Sequence, residues 1–114
     1  MADLGIQLTF VDSETSVAFS RALKVADARE KDFRVATFDS KLNVDAATLL
    51  LVLKFAGPAF GAVAGFVNMT LAILKVIKRP SVKIEIDGKT IELDAKASDD
   101  DVKELCAILL RSGK

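Results

Sequence analysis

Phe55–Leu74, FAGPAFGAVAGFVNMTLAIL, is a run of about 20 uncharged residues closed by Lys54 on one side and Lys75 on the other. Within it Gly57, Gly61 and Gly65 recur at every fourth position, a GxxxGxxxG pattern. A helix of that length extends roughly 30 Å, about the thickness of a bilayer's hydrocarbon core. The stretch is therefore either the buried central helix of a small domain or a membrane-active helix that such a domain carries. Glycine is less favourable than alanine in a helix interior by about 1 kcal/mol, so three at this spacing call for a reason. Bare backbone lets another helix approach closely, which is how helices associate in membranes. The glycines form a ridge continued by Asn68 and Ala72, and Phe60, Val63, Val67, Leu71 and Leu74 form a bulky face elsewhere. Gly57, Gly61, Gly65, Phe60 and Phe66 are the candidate interaction and oligomerisation residues. Lys54, Lys75, Lys78 and Arg79 are the candidate membrane-flanking cations.

Upstream, residues 39–44 (DSKLNV) form a polar turn, and Asp45 is a good N-cap for AATLLLVLKFA. Gly57-Pro58 interrupts that pattern, because proline lacks an N–H and its ring clashes with the preceding turn. The expectation is a hydrophobic helical segment over 46–78, kinked near Gly57-Pro58, with its second piece over approximately 59–78. Pro80 marks its stop. A permanent membrane span is disfavoured, because strands with matching apolar faces lie on both sides of the segment and would be separated by it.

Those strands are legible. Leu4, Ile6, Leu8 and Phe10 alternate with Gly5, Gln7 and Thr9, a period-2 strand over approximately 4–11. Asp12 or Ser13 caps a helix over approximately 14–29, with Phe19, Ala22, Leu23 and Ala26 on one side. Phe33–Phe38 is a second strand, so the first third of the chain suggests a βαβ unit. VKIEID-GKTIEL reads as a hairpin about Asp87-Gly88, pairing Ile86 with Lys89, Ile84 with Ile91 and Val82 with Leu93. Its other face is charged. Ser98 and Asp101 resemble a capping box for a last helix with Val102, Leu105, Cys106 and Leu109 as its apolar stripe, and Gly113 terminates it. The fold expected is one α+β domain over residues 1–114. Its mixed sheet has about four strands, a βαβ unit plus a C-terminal β-hairpin, packed with helices.

The chemistry available is narrow. The 114 residues contain 16 Lys plus Arg and 16 Asp plus Glu, for a formal net charge of zero. Neither Trp nor Tyr is present, and no basic stripe occurs, so nucleic acid is not an expected partner. There is no His, which removes Ser-His and Cys-His nucleophilic sites and His-based zinc sites. The single cysteine, Cys106, sits in an apolar stripe and reads as a small core residue. Asp99-Asp100-Asp101 lacks EF-hand spacing and suits the positive end of a helix better. Glu85, Asp87, Glu92 and Asp94 are interleaved with Lys83 and Lys89, as on a solvated strand face. The glycines of GPAFGAVAG are not followed by GK[ST], so they do not make a phosphate loop. No catalytic residue, cofactor or metal is expected. Residues 1–12 lack a basic region and a small-residue cleavage site, which points to the cytoplasm.

The order of features resembles the effector-associated constant component family of bacterial conflict systems. An N-terminal strand and helix precede a small-residue-rich hydrophobic helix ending in LKVIKRP, followed by VKIEIDGKTIEL and a short amphipathic helix. The resemblance runs from about Leu4 to Leu110, with Lys78-Arg79, the segment Val82–Leu93 and the glycine-rich helix as its most recognisable parts. It implies a non-enzymatic component of a bacterial immune system, encoded with partners such as a protease or NTPase.

Together these features give two expectations. In the first, the protein is an antiviral-defence effector or adaptor that self-associates. Its glycine-zipper helix is an oligomerising or pore-forming element masked until a partner such as a protease releases it, and the protein then joins the inner membrane. In the second, the helix is only core and the protein is a soluble interaction module. Its function then lies on the charged hairpin face or a sheet edge, through homodimerisation.

Overall fold

The computed structural model describes residues 2–42, 47–86 and 88–110, with side chains described except at 2, 37–42 and 110. Eight elements follow one another: β1 (Ala2–Phe10), α1 (Ser13–Ala28), β2 (Phe33–Leu42), β3 (Ala47–Phe55), α2 (Ala59–Ile77), β4 (Ser81–Ile86), β5 (Lys89–Asp94) and α3 (Asp99–Leu110). The expected cap at Asp45, Asp87 of the hairpin turn and the terminator Gly113 lie outside the described residues. The class is α+β. Five strands form one sheet in the order β2-β3-β1-β4-β5, and every neighbouring pair is antiparallel.

The principal correction concerns 47–55. ATLLLVLKF is a strand with alternating burial, not the first half of a kinked helix. Ala47, Leu49, Leu51, Leu53 and Phe55 point into the core, while Thr48, Leu50 and Val52 are half-buried on the other face. Alternation is hidden in the sequence because Leu50 and Val52 are also aliphatic. A continuous apolar run does not by itself separate a central strand from a helix. Inserted between β1 and β2, β3 satisfies its backbone groups on both sides. β1 and β2 consequently run in the same direction without being neighbours, so the sheet is antiparallel and not mixed. Gly57-Pro58 is the turn from β3 into α2, with Pro58 as the helix N-cap, so no kink exists there.

One sheet face carries the buried apolar side chains. Ile6, Leu8 and Phe10 of β1 join the inward residues of β3, Val82, Ile84 and Ile86 of β4, and Ile91 and Leu93 of β5. The hairpin register is as expected, with Ile86 opposite Lys89, Ile84 opposite Ile91 and Val82 opposite Leu93. Gly88 has φ +82°, the left-handed geometry a tight hairpin turn requires.

The helices complete the core on that side. α1 starts on Asp12, whose carboxylate accepts from the Thr15 N–H at 2.7 Å. It buries Phe19, whose ring meets that of Phe10 at 5.2 Å between centroids. α2 contributes Val63, Phe66, Val67 and Leu74, all at 0% exposure. Its one deeply buried hydroxyl, Thr70, donates to the Phe66 carbonyl at 2.9 Å, so no polar group is stranded. α3 begins with the reciprocal pair the sequence suggested. Ser98 N–H donates to Asp101 at 3.1 Å, and Asp101 N–H donates to Ser98 Oγ at 3.2 Å.

Candidate functional site

The glycine ridge is divided by the fold. Gly57 precedes α2, and Gly61 lies in its first turn; a Cβ on either would meet nothing within 4 Å. Gly65 differs, because a Cβ there would lie 2.8 Å from Cε2 of Phe33. Its missing side chain thus seats a core phenyl ring from the start of β2. Close approach is the expected use of a helical glycine, but the group approaching is a side chain of the same chain and not a second helix. Phe66 is fully buried, whereas Phe60 is 47% exposed at the free end of α2. The candidate residues therefore separate into a core pair, Gly65 and Phe66, and an exposed group, Gly57, Phe60 and Gly61.

Gly57 and Gly61 of that group line part of a shallow cavity of about 480 Å³ with Lys31, Asp32, Ala56, Pro58 and Ala62. The first turn of α2 has no side-chain cap and no acidic residue.

The four flanking cations do not form two collars. Lys54 is exposed on the sheet face away from the helices, and Lys75 is exposed near the end of α2. Lys78 is the helix C-cap in the left-handed conformation, with φ 59°, and its N–H donates to the Leu74 carbonyl. Arg79 is half-buried. Its Nε donates to Thr15 Oγ1 at 3.0 Å, and Nη2 lies 3.8 Å from Glu14. Arg79 thereby ties the exit of α2 to the first turn of α1.

The uncovered sheet face is a second surface. Asp3, Gly5, Gln7 and Thr9 of β1 lie opposite Lys54, Val52, Leu50 and Thr48 of β3. Gly5, Gln7, Leu50, Val52 and Glu85 contribute to a shallow depression of about 370 Å³. A Cβ on Gly5 would meet no atom within 4 Å. Lys83, Glu85, Thr90 and Glu92 continue this face along the hairpin. The charged hairpin side was legible in the sequence, whereas the apolar centre was not, because it depends on β3 being a strand. The signal available was an aliphatic run of a length that suits either element.

Cys106 is buried at 0% exposure, and burial pushes its thiol pKa up, which keeps the sulfur protonated and unreactive. Among the described residues, no three His, Cys, Asp or Glu side chains gather into a metal-ligand set. α2 is long and apolar enough to cross a membrane, with mean hydropathy 1.8, and 50% of its most apolar window is buried within the protein. Comparisons with protein-family models, curated proteins and solved structures find no match.

Proposed function

We propose that this protein is a non-enzymatic component of a bacterial defence system that works by self-association, as a folded interaction module whose α2 stays in the core. Membership of a defence system rests on the sequence resemblance. The observation that carries the folded-module reading is the state of α2. Nine of its residues are buried, among them Val63, Phe66, Val67, Leu71, Ile73 and Leu74. Burying a large aliphatic or aromatic side chain stabilises by about 1.5–3 kcal/mol. Exposing these six to water would cost about 10 kcal/mol, comparable to the entire stability of a small domain. A binding partner cannot unmask α2 by a local hinge, since its departure removes the floor of the core.

The membrane-perturbing reading is kept for one reason. Gly57, Phe60 and Gly61 stand exposed on a helix of membrane-spanning length. In that reading a co-encoded protease frees α2 covalently, and the bilayer then replaces the lost core.

Dye release from anionic liposomes tests the two together with sedimentation velocity in detergent-free buffer. A folded module sediments as an oligomer and releases no dye, either intact or after limited proteolysis. Dye release that appears only after cleavage would transfer the function to α2.

A further inference from the structure

The sheet has two edges, β2 and β5. β2 carries a register shift between Thr37 and Asp39, and an irregularity of that kind blunts an edge against further pairing. β5 pairs with β4 from Lys89 to Asp94 without a shift. In an antiparallel ladder alternate residues turn their backbone groups towards the neighbouring strand, and the residues between them turn theirs away. The phase is set by the Ala95 N–H, which donates to the Pro80 carbonyl at 2.8 Å. Leu93, Ile91 and Lys89 follow at alternate positions and face β4, so Thr90, Glu92 and Asp94 face outward. The Asp94 carbonyl accepts from the Ala97 N–H at 3.0 Å. The outward N–H and C=O groups of Thr90 and Glu92 have no partner among the described residues.

α3 flanks this edge. A shallow groove of about 420 Å³ lies between them, and its lining includes the half-buried Leu105 and Ile108 of α3. Four exposed carboxylates, Glu92, Asp94, Asp101 and Glu104, also line it, against a single cation, Lys96. None of the four has a cationic side chain within ion-pair distance among the described residues. The whole chain has a formal net charge of zero, so this excess of negative charge is local to the groove.

We propose that the free edge of β5 and the groove beside α3 dock an extended basic segment of a partner protein, which adds to the five-stranded sheet as a further strand. The backbone supplies affinity: an antiparallel segment exchanges two hydrogen bonds with each of Thr90 and Glu92. Side chains supply the choice of partner. Successive residues of the segment point to opposite sides of the sheet. On one side they meet Glu92 and Asp94, and on the other Leu105 and Ile108 with the Asp101 and Glu104 carboxylates beside them. Lysine or arginine at alternate positions, with aliphatic residues between, matches both sides. A second copy of β5 fits poorly. In the two antiparallel registers that overlap most of the strand, Glu92 falls opposite itself or diagonal to itself, and facing like charges destabilise a strand pair. The same carboxylates therefore reject their own copy and attract a basic strand. This site is separate from the self-association reading above and stands without it.

Fluorescence anisotropy tests this with a labelled heptapeptide alternating lysine and valine, titrated with the full chain at low salt. This peptide should bind, and one alternating glutamate and valine should not. Directly opposite residues share a face, so lysines that meet Glu92 aim their own N–H groups at β5. N-methylation of the lysine amides should therefore raise the dissociation constant at least about tenfold, and N-methylation of the valine amides should leave it unchanged. Glu92→Lys should also raise it at least about tenfold. Asp32→Lys, the same change of charge at an exposed site before β2, should not. Both variants should melt at the wild-type temperature, because both side chains are exposed. No binding by the full chain overturns the proposal, and binding that appears only after removal of residues 111–114 assigns the edge to that segment instead. Binding that survives methylation of the lysine amides, or that Glu92→Lys and Asp32→Lys weaken equally, reduces the effect to charge attraction and overturns the added strand. Thr90→Pro loses an outward N–H and no ladder bond. Wild-type oligomers in sedimentation velocity that this exchange dissolves would assign the edge to a second copy and overturn the basic partner.

Discussion

Gly61 and Gly65 belong to one repeat, yet their environments require opposite responses to the same substitution. At Gly61 a methyl group enters open space, and alanine's better helix propensity is the remaining effect. Gly61→Ala should raise stability by about 0.5 kcal/mol, less than the full interior difference because the position lies in the first turn. At Gly65 the methyl would press on the buried Phe33 ring at 2.8 Å. Overpacking typically costs about 1–3 kcal/mol, which exceeds the propensity gain, so Gly65→Ala should lower stability by about 1 kcal/mol. Urea unfolding monitored by circular dichroism measures both. Equal effects at the two sites would mean that the Phe33 contact does not control the position. Asp12 supplies a pH-dependent test at the same scale. Hydrogen bonds from Thr15, side chain first and backbone N–H second, hold its carboxyl below the ordinary value; burial opposes the shift, and Arg79 adds a smaller attraction. Its folded pKa therefore lies below the unfolded one. The resulting stability is fully present above the unfolded value and is lost as pH falls through the folded value. Asp12→Asn retains a competent cap without that titration, so its stability should fall less steeply on acidification. Superimposable acid limbs for the two proteins would remove Asp12 from the account.

At the scale of elements, legibility followed how much of each signal was local. The Ser98–Asp101 capping box, the Asp12 cap and the hairpin register depend on residues a few positions apart, and all are present as their spacing suggests. α2 begins at Ala59, because Pro58 is favourable at a helix start and unfavourable within one. β3 was not legible for a long-range reason. Its two faces meet different surroundings, the core beneath and an open face above, but Leu50 and Val52 give both faces the same aliphatic character. Only the neighbouring strands β1 and β2 reveal which residues are inward, and those pairings span up to about 50 residues of chain. The same omission concealed the Gly5 depression, since Gly5 gains significance only when Val52 is placed across from it. The glycine run was legible as a demand for close approach, but its partner was not. Phe33 arrives at Gly65 from a different element, and sequence spacing carries no record of that meeting.

At the scale of the whole molecule, the question is whether α2 can open separately from the sheet. α2 lies against α1 and α3 and shares one continuous buried cluster with β1, β3 and β4. Arg79 adds a polar tie from its exit to Thr15 and Glu14. Cooperative units in proteins open together when they share their buried contacts and separately when they do not. Phe66, Val67, Leu71 and Leu74 share theirs with the central strands, so native-state hydrogen exchange should give their amides the same opening free energy as Ile6 and Leu51. Their response to low urea should also have the slope of global unfolding, because opening α2 exposes the surface of the core itself. A masked, releasable helix predicts the opposite pattern: α2 amides exchanging through a smaller step, with a shallower denaturant dependence, while β1 and β3 remain protected. The measurement needs neither a partner nor a membrane, which separates the folded module from the releasable helix on the properties of the chain alone. Matching opening energies would require any membrane-active role for α2 to begin with global unfolding or cleavage.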